Sequence, residues 1–185
     1  MKDYIKAHGA ELAHPPMPVV PNFSEKTSVG SRLQQLQDLI SSLQYNYTGA
    51  NYFNLRKTRP LHQIIATGRE IVREALPIRC LEAVFLAIFL TQGGAWVNLV
   101  DRFPVSFKSS VGGQTYRHII LATRVKATGL FGALGLSRRS SLMWKPPTFT
   151  SFALLIQDYQ KVRQRLPPSP KLIGLSPQCP AGTCG

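Results

Sequence analysis

Apolar residues recur at three- and four-residue spacing in two early stretches. Leu33, Leu36, Leu39, Ile40 and Leu43 fall on one face of a helix over about Arg32 to Leu43, with Ser28 and Ser31 as candidate N-caps. Leu61, Ile64, Ile65, Ile71, Val72 and Leu76 form a second such face from Pro60 to Leu76, where Pro77 stops the helix. Cys80 to Thr91 is apolar nearly all round, which predicts a central, buried helix ended by Gly93-Gly94. Beyond it the period changes. Phe103 to Phe107, Tyr116 to Val125 and Leu130 to Leu136 are rich in aromatic and β-branched residues and separated by glycine turns, the pattern of strands. A last helix is expected from Ser151 to Arg165. Helices first and an antiparallel meander afterwards make an α+β fold rather than the alternation of a doubly wound sheet.

The two ends read differently. Pro15, Pro16, Pro18 and Pro21 make residues 1–31 an extended lead-in, and residues 167–185 are a tail rich in Pro, Gly and Ser. One domain, residues 32–166, lies between them. The formal charge of +13 is unevenly spread: residues 1–101 carry 10 Lys/Arg against 8 Asp/Glu, residues 102–185 carry 12 against Asp158 alone. A one-sided basic surface implies an acidic partner: nucleic acid, an anionic membrane or an acidic protein tail. The aromatic residues are not interleaved with the basic ones as in a nucleic-acid reader motif. The longest apolar run, Ala83 to Leu90, is too short to span a bilayer. Met1 to Ala10 lacks the apolar core of a signal peptide, and Cys80, Cys179 and Cys184 make a poor disulfide framework, so a reducing, cytoplasmic setting is expected. No glycine-rich phosphate loop, CxxC pair or HExxH occurs, and neither a metal nor a cofactor is expected.

The candidate chemistry centres on Cys80. It begins the apolar helix, so its thiol faces the partial positive charge of a helix N-terminus, with Arg79 beside it. Both favour the thiolate, the reactive form of a cysteine nucleophile. The bland alternative is an inert core cysteine. His118, on a strand with Ile120 on the same face and Arg117 on the other, is the candidate base; a strand histidine satisfied by a carbonyl is its alternative. Ser137, after a glycine-rich strand, is a candidate to orient the imidazole, or else a turn serine. Each of the three has an arginine next to it: Arg79, Arg117 and Arg138. Guanidinium forks bind carboxylates in bidentate fashion, which favours a carboxypeptidase over an endopeptidase. The rival reading is a basic module that coats RNA or an acidic protein surface around an incidental cysteine.

These residues sit in longer strings. Leu43 to Gly49, Arg59-Pro60-Leu61, Glu74 to Val84 (with Leu76-Pro77-Ile78-Arg79-Cys80-Leu81-Glu82 at its centre), Arg102 to Lys108, Arg117-His118-Ile119, Gly132 to Arg139 and Leu142 to Pro147 together resemble the vasohibins. The resemblance runs in order over residues 32–165. It implies a transglutaminase-like (papain-like) cysteine peptidase fold and removal of the C-terminal tyrosine of α-tubulin. It puts the nucleophile on Cys80, the base on His118 and the third member on Ser137, with the Leu142 carbonyl as an alternative. Tyr45, Arg79 and Arg138 fall where the family grips the terminal tyrosine and its carboxylate. The family usually has lysine where Arg79 stands. The interval between Cys80 and His118 is longer than in the animal proteins, with the excess in a loop around Gln92 to Asn98. The resemblance further implies cytoplasmic, cytoskeleton-associated placement, with secretion in complex with a partner as an option, and a small helical chaperone like the small vasohibin-binding protein; the rival module would then coat microtubules or RNA. Residues 3–13 are the candidate remnant of its docking surface.

Overall fold

The computed structural model describes residues 17–111 and 114–164. Residues 3–13, the tail 167–185, Cys179 and Cys184 lie outside them. Helix α1 runs Val29–Ser42. It starts earlier than the apolar spacing predicts because Ser28 is the N-cap, its hydroxyl accepting the Ser31 N–H at 3.1 Å. Leu33, Leu36, Leu39, Ile40 and Leu43 are all buried, as the spacing requires. Helix α2, Leu61–Glu74, ends short of Leu76. Ala75 takes a left-handed conformation (φ 51°) and gives its N–H to the Ile71 carbonyl, closing the helix before Pro77 is reached. Leu61 is not inward: it is 60% exposed at the first turn. Gly68 is where α2 meets the next helix. A Cβ there would lie 2.4 Å from the Phe89 Cβ and 2.7 Å from the Phe85 carbonyl oxygen, so only hydrogen fits.

That next helix, α3, spans Cys80–Leu90, and the run Glu82 to Ala87 within it is wholly buried. Gly93-Gly94 does not open a loop. Gly93 (φ 106°) turns the chain into a short helix α4, Gly94–Leu99, whose buried Trp96 meets the Phe23 ring edge-on at 5.7 Å. The expected loop over Gln92 to Asn98 is therefore corrected: one indole seated in the core is enough to hold a single turn and a half.

The meander is longer and has one more strand than the sequence predicts. Strands β1 (Val100–Val111), β2 (Gln114–Val125), β3 (Phe131–Leu134) and β4 (Lys145–Phe149) form one antiparallel sheet in the order β1-β2-β3-β4. β1 and β4 are its edges. β4 carries Pro146-Pro147, a signal against a strand in the interior of a sheet but tolerated at an edge. Helix α5, Phe152–Gln164, closes the domain.

Alternation along the strands builds two cores. Ile119, Leu121, Val125 and Leu134 face α3 and pack with α1 and α2. Phe107, Ile120, Ala122 and Ala133 face the other way and pack on Leu155 and Tyr159 of α5. The sheet is thus covered by helices on both faces, and α3 meets β2 where Cys80 begins. Among the described residues no helix is long and apolar enough to cross a membrane.

Candidate active site

Two main-chain hydrogen bonds fix the approach to Cys80. The Ile78 N–H reaches the Gln44 carbonyl at 3.1 Å, and the Asn46 N–H reaches the Ile78 carbonyl at 2.8 Å. This parallel bridge sets Tyr45 beside Ile78, one residue before Arg79. Arg79 is extended (φ −113°, ψ −176°) and serves as N-cap without a side-chain bond; its guanidinium instead donates to the Ala50 carbonyl at 2.8 Å. Cys80 follows as the first residue of α3.

Its thiol is pushed above the ordinary cysteine range, first by burial and further by the Glu82 carboxylate. Backbone amides of Ile119, Leu81 and Cys80 itself pull the other way and are outweighed. The main-chain groups at the helix start lower the thiol as expected, but burial outweighs them. A thiol raised in this way gains from a neighbouring base.

His118 is 7% exposed on β2, directly opposite Phe107 of β1. The residue after it, Ile119, gives its amide to Cys80, and both His118 and Cys80 line one cleft of about 360 Å³. The His118 Nε2 lies 2.7 Å from the Leu142 carbonyl oxygen. A carbonyl only accepts, so Nε2 carries a proton and the neutral ring has its lone pair on Nδ1. Leu142 ends a 3₁₀ turn, Ser140–Leu142, held by N–H bonds from Leu142 to Arg139 and from Met143 to Ser140, both at 3.0 Å. The Tyr159 hydroxyl donates to the Met143 carbonyl at 2.7 Å, tying the turn to α5. Ser137 is engaged differently: its hydroxyl accepts the Arg139 N–H at 3.3 Å, shaping the bend that leads into the 3₁₀ turn. Of the two groups considered for orienting the imidazole, the Leu142 carbonyl is the one bonded to its Nε2.

Tyr45 stands within electrostatic reach of Cys80, Arg79 and Arg138. Burial raises its phenol, Arg138 and Arg79 lower it, and Cys80 raises it. The Arg138 guanidinium is 5.8 Å from the Tyr45 ring centroid and shares a hydrogen bond with the phenol. Tyr45, Arg79 and Arg138 therefore gather on one side of Cys80.

Three further cations line the cleft: Lys57, Lys108 and Arg117. Lys108 and Arg117 are direct cross-strand partners. Sequence reasoning named Arg117 and missed the lysines. Lys108 was legible, since alternation puts it on the Arg117 face once the hairpin register is known. Lys57 was not. Its loop is held by Arg59, which donates to the Asn54 carbonyl (2.6 Å), the Arg56 carbonyl (3.1 Å) and the Thr67 hydroxyl (3.0 Å). Among the described residues no group of three or more His, Cys, Asp or Glu side chains is arranged to hold a metal ion.

Residues 1–167 match the family model described as Vasohibin. A curated relative, Tubulinyl-Tyr carboxypeptidase 1 of Mus musculus, is 44% identical over 157 residues, which cover 84% of this chain and 40% of the relative. The chain thus spans about two fifths of the length of the relative it matches.

Proposed function

This chain belongs to the vasohibin family, and from that premise we propose that it is a cysteine carboxypeptidase that removes the C-terminal tyrosine from the acidic tail of α-tubulin. One observation supports this above the others. A thiol at a helix start and an imidazole whose Nε2–H is bonded to the Leu142 carbonyl line the same basic cleft.

In this reading the acidic tail is drawn to Lys57, Lys108 and Arg117. Arg79, Arg138 and Tyr45 seat the terminal residue and its carboxylate. Nδ1 of His118 takes the Cys80 proton as Sγ attacks the carbonyl carbon of the last peptide bond. The main-chain N–H groups at the start of α3 stabilise the oxyanion that forms. The imidazolium is steadied by its bond to the Leu142 carbonyl, which strengthens when the ring is charged. It returns the proton to the leaving amine, the C–N bond breaks and tyrosine departs, leaving a thioester. His118 then deprotonates a water molecule, which attacks the thioester; the carboxylate product leaves and Cys80 recovers its proton. Ser137 acts in this scheme through the turn that presents Leu142. The setting is cytoplasmic and cytoskeletal, and a small helical chaperone is the partner proposed to dock on the N-terminal region. Co-expression with such a partner, scored by soluble yield, tests that part.

The decisive experiment compares Cys80→Ala with wild type on an acidic peptide ending in tyrosine. Tyrosine release is expected to vanish in the variant; undiminished release would sink the scheme.

A further inference from the structure

The bond from Nε2–H to the Leu142 carbonyl fixes one atom of the imidazole; where Nδ1 points also depends on the tilt of the ring about its own side-chain bonds. A near-parallel ring packed alongside the imidazole limits that tilt. The structure supplies one. Phe107 is the direct cross-strand partner of His118, and the two rings are stacked, with centroids 6.3 Å apart and planes 18° from parallel. Behind Phe107 stands Tyr159, fully buried, with ring centroids 5.3 Å apart and planes 35° apart. The Tyr159 hydroxyl holds the Met143 carbonyl, the neighbour of the carbonyl that receives Nε2–H. The same tyrosine thus backs the stack and secures the turn.

We infer that Phe107 is a positioning residue: backed by Tyr159, it fixes the plane of the His118 ring so that Nδ1 is presented to Cys80. The inference rests on the Cys80–His118 reading above. Leucine at 107 would fill much of the same volume yet offer no plane, so the loss falls on orientation rather than on the core. Phe107 lines the cleft but carries no charge to hold an acidic tail, so its loss is expected to fall on turnover more than on binding.

The test uses the full chain with steady-state tyrosine release from an acidic tyrosine-ended peptide. Cys80 carboxamidomethylation by iodoacetamide is followed in parallel by mass spectrometry of the Cys80 peptide. Phe107→Leu is expected to lower kcat by roughly tenfold or more, within what misplaced reacting groups cost, with KM changed by less than about twofold, and to slow Cys80 alkylation. Phe107→Tyr, which keeps the ring, is expected to stay near wild type. In a His118→Gln background, Phe107→Leu should slow alkylation no further, because residues acting through one another are not additive. Thermal unfolding of each variant separates lost folded protein from lost orientation; if Phe107→Leu does not fold, Phe107→Met goes through the same measurements. An unchanged kcat in the folded variant, or equal slowing of alkylation with and without His118, would overturn the inference while leaving the dyad intact. If His118→Gln itself leaves alkylation as fast as wild type, the dyad reading falls and this inference with it.

Discussion

Replacing His118 with glutamine asks whether Cys80 needs a base. Burial and Glu82 hold its thiol above the ordinary range. An unperturbed cysteine is only a few per cent thiolate at pH 7, and Cys80 on its own is less. A positioned general base contributes about 10²–10⁴-fold, or ~3–5.5 kcal/mol at ~1.4 kcal/mol per tenfold. With so little thiolate to fall back on, His118→Gln is expected to lower kcat toward the middle of that range, about 10³-fold. The fold should survive. Glutamine keeps an amide donor within reach of the Leu142 carbonyl, so the stability loss stays near ~1 kcal/mol, the worth of one hydrogen bond. The assay is the initial rate of tyrosine release at saturating peptide, repeated from pH 7 to 9. In the variant the rate should climb with pH, because hydroxide then makes the thiolate that His118 no longer makes; the climb continues beyond the ordinary cysteine value because Cys80 is raised above it. A folded variant whose kcat lies within about tenfold of wild type at pH 7, or whose rate is flat with pH, refutes the reasoning.

Three further predictions draw on other parts of the structure. Gly68→Ala drives a methyl into the Phe85 carbonyl and Phe89 side chain; overpacking of this kind costs about 1–3 kcal/mol, to be read as a lower urea midpoint, and an unchanged midpoint would show that α2 and α3 separate freely. Glu82→Gln removes the carboxylate that pushes Cys80 up, so alkylation of Cys80 at pH 8 should be faster than in wild type, and a slower rate contradicts the charge assignment. Raising salt from 50 to 300 mM should raise KM for the acidic peptide with little change in kcat, since exposed Lys108 and Arg117 are screened. Lys108→Ala combined with Arg117→Ala should flatten that dependence; an equal salt slope in the double variant would remove the basic cleft from the binding argument.

What could be read from the sequence divides along physical lines. The faces of α1 and the buried run of α3 were legible because burial of a whole helix face leaves a spacing that no local accident imitates. Cys80 and His118 were legible because their chemistry is carried by side chains. The Leu142 carbonyl, by contrast, is main chain: every residue has one, and only the 3₁₀ turn aims this one at Nε2. The balance at Cys80 was not legible because the helix start is a local property while burial belongs to the assembled fold. α4 escaped because a six-residue helix has too few positions to show a period, and Trp96, which anchors it, looks like any aromatic. β4 escaped because Pro146-Pro147 obscures a strand whose place at an edge appears only when the sheet order is known.

Edge position has a consequence for β1 as well. Its twelve residues pair with β2 on one side only, and an open ribbon of that length is a template on which strands of other molecules can stack into fibres. Pro104 sits near its middle and has no N–H to offer, and Lys108 sets a charge four residues on. A foreign strand meeting this border would find its ladder broken and its flank repelled if basic. The same strand that lends Lys108 and Phe107 to the cleft is therefore guarded against self-association, and replacing Pro104 with a β-branched residue would lift that guard before it touched the chemistry.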